Sequence, residues 1–429
     1  MIDLRDIEDA RATVSPVLRV TPVTHSHSLS ELAGREVLLK GEQLQRTGSF
    51  KIRGARNFVA RLEEAEGPKP EVVAASAGNH AQGVALAARL SGLPATIFMP
   101  ANAALPKVEA TRSYGATVLL DGAVVDDAMA AARDHADRTG AVLVPPFDDP
   151  LVVAGQGTVG LELAEQAPQA EVVVVPVGGG GLVSGVATAL AHTRPEVRVV
   201  GVEAAGAAAM RASLDAGRCV TLDSVATMAD GIAVRCVSDL TLAHTQAYVD
   251  DVVTVTEEEI SRALLLLVER AKVVVEPAGA VALAAILAGR VPGTGSALAV
   301  LSGGNVDPLV LTKLIERGLS AAGRYLLLRI VLSDRPGALA ALTDAVARMR
   351  LNVLSVEHHR AGIELGVDEV EVLLTVETRD PSHRHEVVQA LQDQGFNVTL
   401  AAEPAERGEA AKRGEGAEGA DQDARPSSG

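Results

Sequence analysis

Between residue 71 and about residue 316, short runs of β-branched residues alternate with longer Ala-rich stretches. Residues 71–75 precede a helical pattern over 79–90, and residues 171–177 precede another over 183–192. That rhythm predicts an α/β fold with parallel sheet. Further strands are predicted at 95–99, 116–120, 141–144, 197–202, 252–255 and 298–301, too many for one small sheet.

After about Gly323 the pattern changes. Strand 325–332, helix 337–350, strands 352–358 and 368–377, helix 382–394 and strand 396–400 make a βαββαβ unit of ferredoxin-like type. Asp334-Arg335-Pro336-Gly337 announces its first helix, because proline's fixed φ and missing N–H suit a turn that leads into a first helical turn. A separate C-terminal domain over 324–401 is expected. Residues 402–429 hold no Val, Ile, Leu or aromatic residue, so burial cannot offset their ordering entropy and disorder is expected there. At 429 residues the chain exceeds what one core serves, which fits several folded units.

Aromatic residues make up only 2% of the chain, so its cores must be packed with Ala, Val and Leu. A formal net charge of -16, without a basic run interleaved with aromatics, argues against a nucleic-acid partner. The longest apolar segment, over 278–289, is too short to span a bilayer, and the first residues lack a basic stretch followed by an apolar core. A soluble cytoplasmic protein with no membrane partner is expected. Cys219 and Cys236 show no CxxC or zinc spacing and read as two inert buried thiols of a reducing compartment.

Four segments carry candidate chemistry. In Ser49-Phe50-Lys51-Ile52-Arg53-Gly54-Ala55 the lysine could be a solvated surface charge, but a lysine with a depressed pKa can also attack a carbonyl. Ser76-Ala77-Gly78-Asn79-His80 stands where a strand meets a helix, the place where helix N–H groups and short polar side chains converge on an anion such as a carboxylate. Simple capping by Ser76 or Asn79 explains one polar residue there, not the cluster. Gly178-Gly179-Gly180-Gly181-Leu182 follows an apolar strand and opens a helix, so its backbone N–H groups can approach a phosphate; it matches neither GxGxxG nor a P-loop. Ser302, in Leu301-Ser302-Gly303-Gly304-Asn305, ends another strand.

In this order the four segments resemble the threonine dehydratase (threonine ammonia-lyase) and serine dehydratase family of fold-type II pyridoxal-phosphate enzymes, over about residues 4–319. The resemblance implies a catalytic region of two open α/β sheet domains over 1–320, with a smaller subdomain at about 55–147 inserted in the larger. It implies pyridoxal 5'-phosphate as cofactor, carried by Lys51 as a Schiff base, with Phe50 near the ring and Asn79 on the phenolic oxygen. Gly178, Gly179, Gly180, Gly181 and Leu182 would hold the phosphate, and Ser302 would face the pyridine nitrogen. Ser76, Ala77, Gly78, Asn79 and His80 would hold the substrate carboxylate. A hydroxyl beside that nitrogen leaves it largely neutral, a weaker electron sink that favours prompt loss of a β-leaving group.

Departures from the family pattern narrow this. Serine racemases of the family place a second base where this chain has Ala77, so dehydration is favoured over racemisation. Glu203 and Ala207 stand where cation-binding relatives have ligands, but a second acid is replaced by Ala209, and no metal is expected. The C-terminal unit resembles an ACT domain, which implies pairing with a symmetry mate and an amino-acid effector near the first turn, most naturally isoleucine or valine. The expected activity is elimination of water and then ammonia from L-threonine, with L-serine a poorer substrate, in a homo-oligomer, a dimer or tetramer. The alternatives are serine dehydratase or racemase activity, or a catalytically inert amino-acid sensor.

Overall fold

The computed structural model describes residues 1–63, 69–360, 365–366 and 368–400; the low-complexity tail lies outside the described residues. The chain divides into two units, Met1–Gly318 and Leu319–Gly429. Along the first unit run strands β1 (Val23–His25), β2 (Val37–Gly41), β3 (Val72–Ala75), β4 (Ala95–Met99), β5 (Thr117–Leu120), β6 (Val142–Leu143), β7 (Val172–Pro176), β8 (Arg198–Ala204), β9 (Asp251–Val255) and β10 (Ala297–Leu301). They form two sheets, in the orders β1-β2-β10-β7-β8-β9 and β5-β4-β3-β6. Every neighbouring pair is parallel except β1 with β2.

Parallel sheet with helices on both faces explains why these strands read as unbroken apolar runs. In β7, Val172 and Val174 enter one core while Val173 and Val175 enter the core on the opposite face. The smaller sheet is likewise covered twice, with Val72 and Ala74 on one side and Val73 and Ala75 on the other.

Periodicity does not reveal β1, β2 or the helix Pro150–Gln166, and the reasons are physical. Strand β2 carries a lysine, Lys40, that is fully buried. The helix contains Gly155, Gly157 and Gly160, each costing about 1 kcal/mol of helix propensity relative to Ala. Tertiary contact overrides that cost: a Cβ at Gly155 would lie 2.6 Å from the carbonyl oxygen of Arg53, so the glycine lets this helix press against the helix Lys51–Glu63.

A buried charge cluster joins the same elements. Arg53 grips Glu42 through Nε and Nη2, both at 2.8 Å, and reaches Glu162 through Nη1 at 2.6 Å. Lys40 Nζ donates to Glu162 at 2.5 Å and to Gln166 at 2.9 Å. Burial pushes the Glu42 carboxyl up, but the charge and hydrogen bonds of Arg53 outweigh it and hold the group below the usual carboxylate range.

The second unit is a βαββαβ fold: β11 (Tyr325–Ser333), helix Ala338–Arg348, β12 (Val353–His359), β13 (Glu369–Glu377), helix Pro381–Asp393 and β14 (Asn397–Leu400). Its antiparallel sheet has the order β12-β13-β11-β14. Alternate β11 residues Leu326, Leu328, Ile330 and Leu332 enter a core with Leu342, Val346, Val387 and Leu391 of the two helices.

Arg53→Met keeps bulk but strands two carboxylates in the interior. It should destabilise the first unit by about 3–5 kcal/mol, read as a lowered urea midpoint. An unchanged midpoint would show that the cluster does not hold these elements together.

Candidate functional site

Strands β2, β10 and β7 are neighbours, so the loops leaving their carboxyl ends emerge side by side. That is where open α/β sheets collect ligands. The loop after β2 leads to Lys51, the loop after β10 begins with Ser302, and the loop after β7 is the tetraglycine turn. From the smaller sheet, β3 delivers Ser76, Ala77, Gly78 and Asn79, all half-exposed, and then the buried His80.

The approach to Lys51 is tightly pinned. Thr47 and Gly48 both take positive φ, 68° and 70°. Asn305 Nδ2 donates to Thr47 O at 2.7 Å, and the Gly304 and Phe50 N–H groups donate to Gly48 O at 2.9 Å and Ser302 O at 3.1 Å. The helix then starts at Lys51 itself. Its Nζ lies 5.3 Å from the centroid of the half-buried Phe50 ring and donates to Pro146 O at 2.9 Å. Burial lowers the amine to about 8, against the opposing charge of Glu276. A lysine so poised is partly neutral near physiological pH and therefore nucleophilic.

Pro146 links the amine to the glycine turn, because the next residue, Phe147, walls that turn. A Cβ at Gly179 would sit 2.2 Å from the Phe147 ring, and one at Gly178 would sit 3.0 Å from Ile232 Cα. Gly180 has φ 90° and caps the helix Gly181–Thr193 with no side-chain hydrogen bond. A bare turn leading into an uncapped helix start is a fitting cradle for a phosphate, and Leu182 packs behind it in the core.

The carboxamide of Asn79 is held at both ends. Its Nδ2 donates to Glu276 at 2.6 Å, and its Oδ1 accepts from Asn305 Nδ2 at 2.8 Å. Ser302, buried, donates to Ala278 O at 3.4 Å. Ser76 Oγ accepts the Gly78 N–H at 3.1 Å, and no side chain caps the helix Asn79–Ser91, so its first N–H groups are not taken by a cap. The His80 ring is turned away from this cradle. It bonds Val144 O at 2.9 Å, and burial, with the Lys51 charge, lowers it to about 3, so it is neutral and only its backbone can serve an anion.

Three residues at the site escape the motif reading: Glu276, Asn305 and Phe147. Asn305 closes the Ser302 segment and could have been singled out there. Glu276 precedes Pro277, a helix-start signal that reads as a cap. Nothing local marks Phe147. Both carboxylate oxygens of Glu203 accept helix-start N–H groups, of Met210 and Arg211, at 2.7 and 2.8 Å. Cys219 and Cys236 are half-buried, not buried as expected, and Cys219 packs at the rim of the large-sheet core. Burial and the Asp239 carboxylate nonetheless hold the Cys219 thiol up at about 11. Among the described residues no helix is long and apolar enough to cross a membrane.

Residues 14–303 match the family described as pyridoxal-phosphate dependent enzyme, and residues 326–396 match the ACT domain. The chain is 49% identical to the L-threonine ammonia-lyase of Thermotoga maritima, covering 93% of this chain and 100% of that protein. It is 47% identical to the L-threonine ammonia-lyase of Geobacter sulfurreducens, covering 92% and 98%. Among solved structures, the processed form of threonine deaminase isoform 2 from Solanum lycopersicum matches with TM-score 0.69 and 37% identity over 73% of this chain and 92% of that one. Maize serine racemase matches with TM-score 0.68 and 38% identity over 74% and 98%. A lysine, a tetraglycine turn and a strand-end serine at adjoining strand ends, with these likenesses over most of its length, place the chain in the pyridoxal-phosphate-dependent enzyme family that includes the L-threonine ammonia-lyases, with an ACT domain following the catalytic unit in sequence.

Proposed function

We propose that this enzyme converts L-threonine to 2-oxobutanoate and ammonia by β-elimination, and L-serine more slowly to pyruvate and ammonia. The observation that carries the reading is the half-buried Lys51, its amine bonded to the carbonyl of Pro146, whose neighbour Phe147 walls the tetraglycine turn. The names of the bacterial relatives support the choice of threonine. Serine differs by one methyl group, worth about 1–3 kcal/mol in an apolar pocket.

Pyridoxal phosphate, when bound, supplies a carbonyl for amine condensation and a conjugated ring that takes up the electron pair left when the α-proton departs. Lys51 would hold the cofactor at rest, and its amine, when free and unprotonated, would be the base that takes the α-proton. Backbone N–H groups of Gly178, Gly179, Gly180, Gly181 and Leu182 hold the phosphate. Asn79 would face the phenolic oxygen and Phe50 would lie beside the ring. The Ser302 hydroxyl would meet the pyridine nitrogen without charging it. The carboxylate of the substrate rests at Ser76, Ala77, Gly78, Asn79 and the His80 N–H. With Ala77 where a second base would stand, no acid serves the opposite face, and elimination is preferred to racemisation.

In the ACT unit the turn from Asp334 to Gly337 is exposed, and Gly337 (φ 92°) starts its helix without a side-chain cap. An amino-acid effector, isoleucine or valine, would bind there. Pairing of this domain with a second copy would make the enzyme a homo-oligomer, a dimer or tetramer.

Purified holoenzyme given L-threonine should release 2-oxobutanoate, trapped as its hydrazone, and Lys51→Ala should lower turnover by ~10²–10⁴-fold. Ordinary turnover by that variant would remove the assignment. Because only the neutral amine condenses with a carbonyl, cofactor uptake by apoenzyme should accelerate ~tenfold per pH unit up to about 8 and level off above it. A rate flat across that range contradicts the role given to the amine. Titration calorimetry with isoleucine and valine should show binding that the isolated substitution Gly337→Val weakens; no heat with either amino acid, and activity unchanged across an amino-acid panel, would remove the effector.

A further inference from the structure

We propose that Glu276 is a positioning residue that, together with Asn305, locks the Asn79 carboxamide in one orientation, so that an N–H and never the carbonyl oxygen is offered to the phenolic oxygen of the cofactor. The proposal rests on the place given to Asn79 in the proposed function.

A carboxamide has two ends of nearly equal shape, and only its neighbours decide which end faces where. Here the decision starts from an atom that cannot flip. The backbone carbonyl of Thr47 accepts from Asn305 at 2.7 Å, so Asn305 must present its Nδ2. That same nitrogen donates its other hydrogen to Asn79 at 2.8 Å, which requires Asn79 Oδ1 at that end. Asn79 Nδ2 is thereby aimed at Glu276, where a carboxylate oxygen accepts it at 2.6 Å. The two ends agree. Flipping the carboxamide would set nitrogen against the Asn305 nitrogen and, while Glu276 is ionised, oxygen against its carboxylate oxygen, repulsive contacts replacing hydrogen bonds. Nδ2 keeps a second hydrogen, and this is the one offered to the cofactor.

Glu276 is itself wedged in place. It is buried, its N–H donates to Gly303 O at 3.1 Å, and it forms the N-cap residue of the helix Pro277–Leu287. A Cβ at residue 303 would come within 2.4 Å of Glu276 Oε1, so the glycine after Ser302 makes room for the carboxyl group. The charged groups facing it come from three elements: Asp230, Lys107 and Lys51. Burial and Asp230 raise its carboxyl to about 7, against the two lysines. Whether ionised or neutral it retains an acceptor oxygen for Asn79, so orientation, not charge, is its contribution.

The visible absorption of the holoenzyme and the midpoint of its pH titration report the hydrogen bonding of the phenolic oxygen, independently of turnover. Glu276→Ala should move that midpoint by about one pH unit and weaken cofactor retention ~tenfold, the consequence of losing one oriented hydrogen bond. Asn305→Ala, which frees the other end, should move it in the same direction. Glu276→Gln, which still offers an oxygen, should keep the parental spectrum. A parental midpoint in Glu276→Ala or Asn305→Ala while Asn79→Ala shifts it overturns the lock but leaves Asn79 on the cofactor. A shift in Glu276→Gln as large as in Glu276→Ala overturns orientation as the cause. If Asn79→Ala itself leaves the spectrum unmoved, the place given to Asn79 fails and the lock with it. Should Glu276→Ala not fold, the Asn305→Ala and Glu276→Gln arms decide.

Discussion

The Arg53 guanidinium, shut away from water between Glu42 and Glu162, is the contact on which the geometry of the catalytic unit turns. Buried charges are tolerated only when each is paired and hydrogen-bonded, so the cluster admits essentially one arrangement of the segments that supply it. Those segments are the turn after β2, the helix that begins at Lys51 and the helix Pro150–Gln166. Lys51 lies two residues before Arg53, on the first turn of the anchored helix. The amine is therefore delivered to the mouth of the sheet by a helix whose base is fixed electrostatically, while its tip is tied through Phe50 and Gly48 to the loop after β10.

Burial does a second job at that mouth. Lys51 and Glu276 attract one another, and each alone would favour the other's charged form. The cost of removing charge from water wins for both, lowering the amine to about 8 and raising the carboxyl to about 7. Two groups that would be fully charged on a surface are moved toward their neutral forms, the direction in which a lysine becomes a nucleophile and base. His80, also buried, goes further and stays neutral on Val144. One cause, desolvation, thus sets the protonation of three neighbouring groups.

Much of this was legible in the residues. The apolar runs of β3, β4, β7, β8, β9 and β10 declare strands covered on both faces, and the βαββαβ order of the second unit follows from its alternation. Segments with chemistry were visible because glycine, lysine and short polar residues gather at strand ends, where regular structure does not call for them. Strand β2 and the helix Pro150–Gln166 were hidden because their stability comes from contacts, a lysine neutralised by Glu162 and a glycine, Gly155, pressed against Arg53, that local pattern does not record.

Local chemistry in the chain alone determined which elements form and which residues could react, because propensity, periodicity and the needs of a turn are properties of neighbours in sequence. Only the tertiary structure decided that Asn79 meets Glu276 and Asn305, that His80 turns inward, and that Lys51 stands beside the wall of the glycine turn. Those outcomes join positions 197, 226, 64 and 95 residues apart. They depend on strand order and on burial, which exist only once the sheets are assembled.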